Sequence, residues 1–198
     1  MRLIKEKSAA GFTLTELLVT TSIIFIMSAA VVINYESGKG QLSIQRSTNK
    51  LAQDIRRAQE MAMSAKECPV GTGCQGNIPY GYGIFAVENE TQYILYADTQ
   101  PSPGGDEYYT LGPPEDDMVE TIDLENGVVI CDIQKTGGGV GPDQVSINFR
   151  PPDPKVKIQY SVGQVENFWV EIILGTDCVN PANNKKVTVN AVGLVEVE

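Results

Sequence analysis

Apolar and polar positions alternate along this chain in three successive ways. From Phe12 to Ile33 there are 22 residues in which Glu16 is the one charged side chain. At the helical rise that run crosses a bilayer core of roughly 30 Å. The pattern then breaks at Asn34-Tyr35-Glu36-Ser37-Gly38-Lys39-Gly40, where two glycines at about 1 kcal/mol each predict a kink or a loosened turn. From Ile44 a helical stripe begins: Ile44, Thr48, Leu51, Ile55, Ala58, Ala62 and Ala65 are spaced by four and three, and Arg46, Lys50, Asp54, Arg57 and Glu60 fall off it. This predicts an amphipathic stalk whose apolar face packs within the same subunit, because a coiled-coil seam would want residues larger than these alanines. If continuous, the helix from Phe12 to Ala65 is about 80 Å long.

After Ala65 the period drops to two and Gly and Pro become frequent. Tyr82–Val87 and Gln92–Ala97 flank Glu88-Asn89-Glu90-Thr91, a hairpin signal. Val119–Leu124 and Val128–Cys131 flank Glu125-Asn126-Gly127, where Asn-Gly marks a tight turn. Further strands are expected at Val145–Phe149, Val156–Tyr160, Phe168–Leu174, Val187–Asn190 and Leu194–Val197. The expected fold class is α+β, antiparallel strands behind one long helix. Residues 66–198 suffice for one modest head domain.

Glu16 does not fit a plain membrane anchor. An unpaired carboxylate inside a span costs about 2.5–3.5 kcal/mol even on lenient insertion scales. Its natural counter-ion is a cation, and the nearby ones, Arg2, Lys5 and Lys7, all precede Gly11. Cutting the chain between Gly11 and Phe12 would create one, an α-amine four residues from Glu16, on the same chain or a neighbouring copy. Two other interpretations stand beside this. Ser28-Ala29-Ala30 would serve a secretory signal peptide as a cleavage site, although Glu16 within the apolar region argues against it. A simple one-span anchor leaves Glu16 as an unexplained cost.

A short basic leader ending in Gly11, then Phe12-Thr13-Leu14 and Glu16 as the fifth residue after that glycine, resembles the type III signal of type IV prepilins and type II secretion pseudopilins. Thr15 stands where that family more often has an apolar residue, and Ile33 where major pilins often carry Pro. Leu51–Gln59, Gly81-Tyr82-Gly83-Ile84 and Lys186–Asn190 with Gly193 are similar to the GspH/FimT-type minor pseudopilins. The resemblance implies a pilin lollipop: leader 1–11, membrane helix 12–33, stalk helix 34–65, and a head over 66–198 with two small antiparallel sheets. It further implies cleavage after Gly11 by a prepilin peptidase and N-methylation of Phe12. Glu16 would pair with Phe12 of a neighbour in a homo- or hetero-oligomeric fibre, drawn from the inner membrane by an assembly platform. A single-pass inner-membrane protein with its head outside the cytoplasm is the implied location, before the pilus or pseudopilus. Whether the parent machine is a pilus, a secretion system or a competence system, and whether the subunit is major or minor, stays open at this stage.

Charge and composition change this picture little. The basic leader predicts a cytoplasmic N-terminus. The formal charge of −10 becomes −12 once Arg2, Lys5, Lys7 and Glu6 leave, before the new amine is counted. Such a surface repels polyanions, so nucleic acid is a poor partner. A DNA-uptake tip subunit and a monomeric membrane-anchored sensor are the competing functions; the sensor predicts an uncut Gly11–Phe12 bond. The four cysteines allow three pairings, of which Cys68 with Cys74 and Cys131 with Cys178 are favoured. Zinc is the other use of four Cys, against which stand the missing Cys-x-x-Cys pair and the absence of His.

No enzyme is expected. Without His there is no Ser-His-Asp or Cys-His arrangement, and no Gly-x-Ser-x-Gly elbow occurs. Gly137-Gly138-Gly139-Val140-Gly141 lacks the Lys-Ser/Thr of a phosphate loop and is expected to be a flexible turn. Glu115-Asp116-Asp117, with Asp106 and Glu107 upstream, has oxygens suited to calcium but no EF-hand spacing; a solvated acidic loop is the expectation, with no cofactor. Lys185-Lys186 is too little for a nucleic-acid surface. Tyr108-Tyr109 either faces a partner or packs.

Overall fold

The computed structural model describes residues 11–99, 108–110, 116–135, 141–151, 155–161, 164–166, 169–180 and 183–198. The chain divides into two compact units at Lys39/Gly40, and one helix, α1 (Leu14–Met63), contributes to both.

Thr13 starts α1. Its Oγ1 accepts the Glu16 amide at 3.3 Å, one of the donors that a helix start leaves open, and its carbonyl accepts the Leu17 amide at 3.2 Å as the first bond of the helix itself. The backbone is helical through Asn34–Gly40, so the expected loosening of the turn there does not interrupt the helix. A Cβ added at Gly38 or Gly40 would meet nothing within 4 Å. These glycines answer no packing need within the chain.

In the second unit α1 buries Ile44, Thr48, Leu51, Ile55, Ala58 and Ala62, as the stripe predicts. Ala65 departs from it. The helix ends at Met63, and Ala65 is exposed with φ of 46°. Its amide donates to the Ala62 carbonyl at 3.0 Å and the Lys66 amide to Met61 at 3.1 Å, the paired bonds of a left-handed helix cap. Local capping overrides periodicity here.

Among the described residues ten strands follow: β1 (Gly81–Val87), β2 (Gln92–Asp98), β3 (Asp117–Asp123), β4 (Val129–Lys135), β5 (Gln144–Arg150), β6 (Lys155–Ser161), β7 (Gln164–Glu166), β8 (Trp169–Gly175), β9 (Lys185–Asn190) and β10 (Val195–Val197). They form two antiparallel sheets, in the orders β3-β2-β1-β5-β6-β7 and β10-β9-β8-β4. The molecule is therefore α+β. The hairpin expected around Glu88–Thr91 is β1-β2. The Asn126-Gly127 turn also forms, with the Val128 amide donating to Glu125 O at 2.9 Å and Gly127 at φ 83°. Its flanking strands, however, join different sheets: β3 pairs with β2, and β4 with β8. The β1-β2 turn couples the sheets there, since the Asn89 amide donates to Ile130 O at 2.8 Å and the Ile130 amide to Glu90 O at 3.0 Å.

One apolar core runs through the unit. Tyr82, Ile84, Leu95, Ile147 and Ile158 from the larger sheet and Val170, Ile172, Val187 and Val189 from the smaller share it with Leu51 and Ile55 of α1. The other face of the larger sheet is polar and still buried: Tyr96, Asp98, Ser146, Asn148 and Gln159 are at most 2% exposed. Tyr96 Oη and Ser146 Oγ lie 2.6 Å apart, and Asn148 Nδ2 donates to Tyr96 Oη at 3.2 Å. Gly83 faces Tyr96 and Asn148 across β2 and β5. A Cβ there would stand 2.6 Å from both the Ile147 carbonyl and the Tyr96 ring, so only glycine lets the ring lie flat on the sheet.

Candidate functional site

At the N-terminus the order of events along the chain matters. Gly11 and Phe12 are non-helical and exposed, and the helix begins immediately after Thr13. The Gly11–Phe12 bond is thus outside regular structure, where a protease can engage an extended backbone. A Cβ built on Gly11 would touch nothing within 4 Å. Among the described residues, packing does not require glycine at this position.

Glu16 is the third helical residue, in the first turn. Thr13-x-x-Glu16 is the spacing of a capping box, in which the acid sits where the helix dipole favours negative charge. The sequence carries that signal in the spacing itself. It supplies a local reason for an acid at 16, worth about 0.3–1 kcal/mol, less than the 2.5–3.5 kcal/mol that burial in lipid costs.

Between Leu14 and Val31 the helix is long and apolar enough to cross a membrane, with mean hydropathy 1.9 and none of its length buried. Phe25 is 77% exposed. The polar side chains inside this segment are satisfied by the helix itself: Thr20 and Thr21 donate to Leu17 O at 3.0 Å, Ser22 to Leu18 O at 2.8 Å and Ser28 to Ile24 O at 2.8 Å. Such back-bonding leaves hydroxyls without an unmet need in lipid. Thr15 differs, its hydroxyl lying 3.2 Å from Thr13 Oγ1, and Glu16, a carboxylate with no proton to donate, cannot back-bond at all. Gly11 and Phe12 thus stand five and four residues ahead of Glu16 in the chain; the leader ahead of them lies outside the described residues.

Both favoured disulfides are present. Cys68–Cys74 spans Cα atoms 5.7 Å apart and Cys131–Cys178 spans 5.1 Å. The smaller loop is closed off by the Cys68 amide donating to Asn77 O, beyond the loop, at 2.8 Å, and within it Gly71 adopts φ 97°.

The remaining sequence candidates resolve differently. Asp116 is buried rather than solvated, accepting the Thr110 amide at 3.0 Å and the Thr99 amide at 3.3 Å; it ties down a connecting segment. Asp106, Glu107 and Glu115 lie outside the described residues, and among those described no three His, Cys, Asp or Glu side chains cluster to hold a metal. Tyr108 and Tyr109 pack, with the Tyr109 ring 5.1 Å from Tyr96 and 5.0 Å from Phe85. Lys186 bonds Glu171 and Glu198, each at 2.9 Å. Of the glycine run only Gly141 is described, where a Cβ would strike the Ile133 carbonyl.

Five tyrosines in the head share a titration consequence. Burial pushes the phenols of Tyr82, Tyr96, Tyr108 and Tyr109 above their ordinary range. Burial does the same for Tyr93, whose hydroxyl also donates to Asp54 at 2.7 Å. A pKa raised on folding means that the unfolded chain releases these protons first. Stability is therefore complete below about pH 10 and falls as pH rises above it. A fragment starting at Gly40 is expected to lose urea resistance steeply above that pH, read by circular dichroism, while the phenolate absorbance of these five rings appears only with unfolding.

Comparison with protein-family models, with curated proteins and with solved structures finds no match to this chain.

Proposed function

We propose that this chain is a structural subunit, a minor pilin or pseudopilin, which a prepilin peptidase cuts after Gly11 and which then assembles from the inner membrane into a type IV pilus or type II secretion pseudopilus. One observation carries the reading: the lone acid Glu16 sits at the start of an exposed apolar helix, four residues after an exposed, non-helical Gly11–Phe12 bond. Cleavage would supply the missing cation, and bundling of many such helices would cover the apolar surface. The rest of the chain is compatible with a pilin lollipop, since the second half of α1 packs its apolar stripe on antiparallel sheets. Residues 66–198 carry seven Lys and Arg against twenty Asp and Glu, the wrong sign for a DNA-gripping head.

The test is the mature N-terminus. Mass spectrometry of membrane and fibre fractions is expected to find chains beginning at N-methylated Phe12. A chain retaining its first eleven residues, or one trimmed beyond Ala30, would remove the basis of the proposal.

A further inference from the structure

Hydroxyl side chains crowd the start of the apolar segment. Thr13, Thr15, Thr20, Thr21 and Ser22 all stand within six residues of Glu16, but they do not share its face. At about 100° per residue, Thr20 lies about 40° from Glu16 and one turn further along, the i,i+4 relation that makes two side chains neighbours. Thr15, Ser22 and Thr21 lie about 100°, 120° and 140° away. Thr13 comes back to within about 60°. Its Oγ1, however, already accepts the Glu16 amide at 3.3 Å and lies 3.2 Å from Thr15 Oγ1.

The Thr20 hydroxyl is placed by its own bond. Its Oγ1 donates to Leu17 O at 3.0 Å, which uses the proton and turns the oxygen back toward the preceding turn, the one that holds Glu16. A hydroxyl oxygen also has two acceptor positions. Among the described residues the Thr20 oxygen accepts nothing, and the residue is exposed. It therefore offers open lone pairs beside Glu16.

The proposed partner of Glu16 has a use for them. A cationic α-amine carrying one methyl group keeps two N–H bonds, pointing tetrahedrally apart. Hydrogen bonds weaken steeply when bent, so a carboxylate on one side of the nitrogen takes one of the two in line. In water the other would be solvated. Among packed apolar helices it would be a buried donor without an acceptor, at a cost that such an environment does not relieve.

We infer that the Thr20 hydroxyl is the second acceptor for the Phe12 amine of a neighbouring copy: Glu16 supplies the charge and Thr20 completes the hydrogen bonding. This rests on the filament reading and adds a recognition residue to the same site.

The experiment uses the full-length chain in cells that assemble it, and compares Thr20→Val, Thr20→Ser, Thr21→Val and Glu16→Gln. Valine keeps the shape of threonine and is more apolar, so insertion is not at risk. The mature N-terminus and the amount in the membrane are read for each variant beside the amount in sheared fibres. Thr20→Val is expected to be cut after Gly11 as usual and to enter fibres about tenfold less, the loss that follows when a charged donor is left without its acceptor. Thr20→Ser returns the oxygen and is expected to restore incorporation. Thr21→Val deletes a hydroxyl that also bonds Leu17 O at 3.0 Å, on another face, and is expected to assemble normally. Normal incorporation of Thr20→Val beside a depleted Glu16→Gln overturns the inference and leaves the filament reading standing. Equal losses from Thr20→Val and Thr21→Val overturn it too, because back-bonding to the helix then sets the effect. So does Thr20→Ser behaving like Thr20→Val, which would make shape the cause. Normal incorporation of Glu16→Gln, or a chain still carrying its first eleven residues, overturns both.

Discussion

Glu16→Gln is expected to leave the chain inserted and cut after Gly11 while reducing its incorporation into fibres about a hundredfold or more. The choice of glutamine separates two roles that coincide at this residue. A capping box accepts Gln as readily as Glu at its third helical position, and the Thr13 hydroxyl bonded to the Glu16 amide stays in place. Volume and helix start are thus retained, and charge alone is lost. On the proposed assembly, with Phe12 of a neighbour presenting its amine to an apolar bundle, removing the carboxylate would leave a buried cation alone, at about 3–5 kcal/mol. A plain anchor predicts the reverse. There Glu16→Gln relieves part of the insertion cost and the chain accumulates in the membrane at or above its normal level.

Two companion variants sharpen that result. Gly11→Val adds bulk where the chain itself has free space, so uncut precursor in that variant locates the need for glycine in the peptidase. Thr13→Val removes the cap and keeps the charge; its assembly is expected to stay within a few-fold of normal. Quantitative blotting of sheared fibre against membrane fractions reads all three. Equal incorporation of Glu16→Gln and the wild-type chain would end the pairing argument.

What the residue order reveals and what it conceals follow from the range of each interaction. Gly11, Phe12 and Glu16 lie within six residues of one another, and the helix geometry that relates them is local. The stalk stripe and most strands are legible for the same reason. Partition of strands between sheets is not. Alternation at Val119–Leu124 and at Val128–Cys131 marks two strands beside an Asn-Gly turn, yet nothing in either strand tells whether its neighbour is the next strand or one forty residues on. β7, at three residues, carries too short an alternation to register. Asp116 sits in an acidic run and looks solvated, because its burial depends on where the amides of Thr99 and Thr110 come to rest. Ala65 fits the stripe by spacing and leaves it because the helix cap acts first.

The largest stability effect in the head is expected from the Cys131–Cys178 bond. Cys131 occupies the irregularity in β4 where pairing with β8 steps from Ile130 to Asp132, and Cys178 follows β8. The segment between them, at a sequence separation of 47, contains β5, β6 and β7 of the larger sheet and β8 of the smaller. The crosslink therefore closes an excursion from one sheet to the other and back. In the chain-entropy model a loop of that length is worth about 4 kcal/mol, against about 2 kcal/mol for the six-residue separation of Cys68 and Cys74. Set beside a total of about 5–15 kcal/mol for a domain, the first loss is large and the second is not. A fragment beginning at Gly40 with Cys131→Ser and Cys178→Ser is expected to unfold at a far lower urea concentration than the parent, with part of it unfolded even in buffer. Cys68→Ser with Cys74→Ser is expected to shift the midpoint about half as far. Equal shifts would mean that loop length does not set the difference, and that the short loop, packed through Gly73 against Asp117 of β3, contributes through native contacts instead.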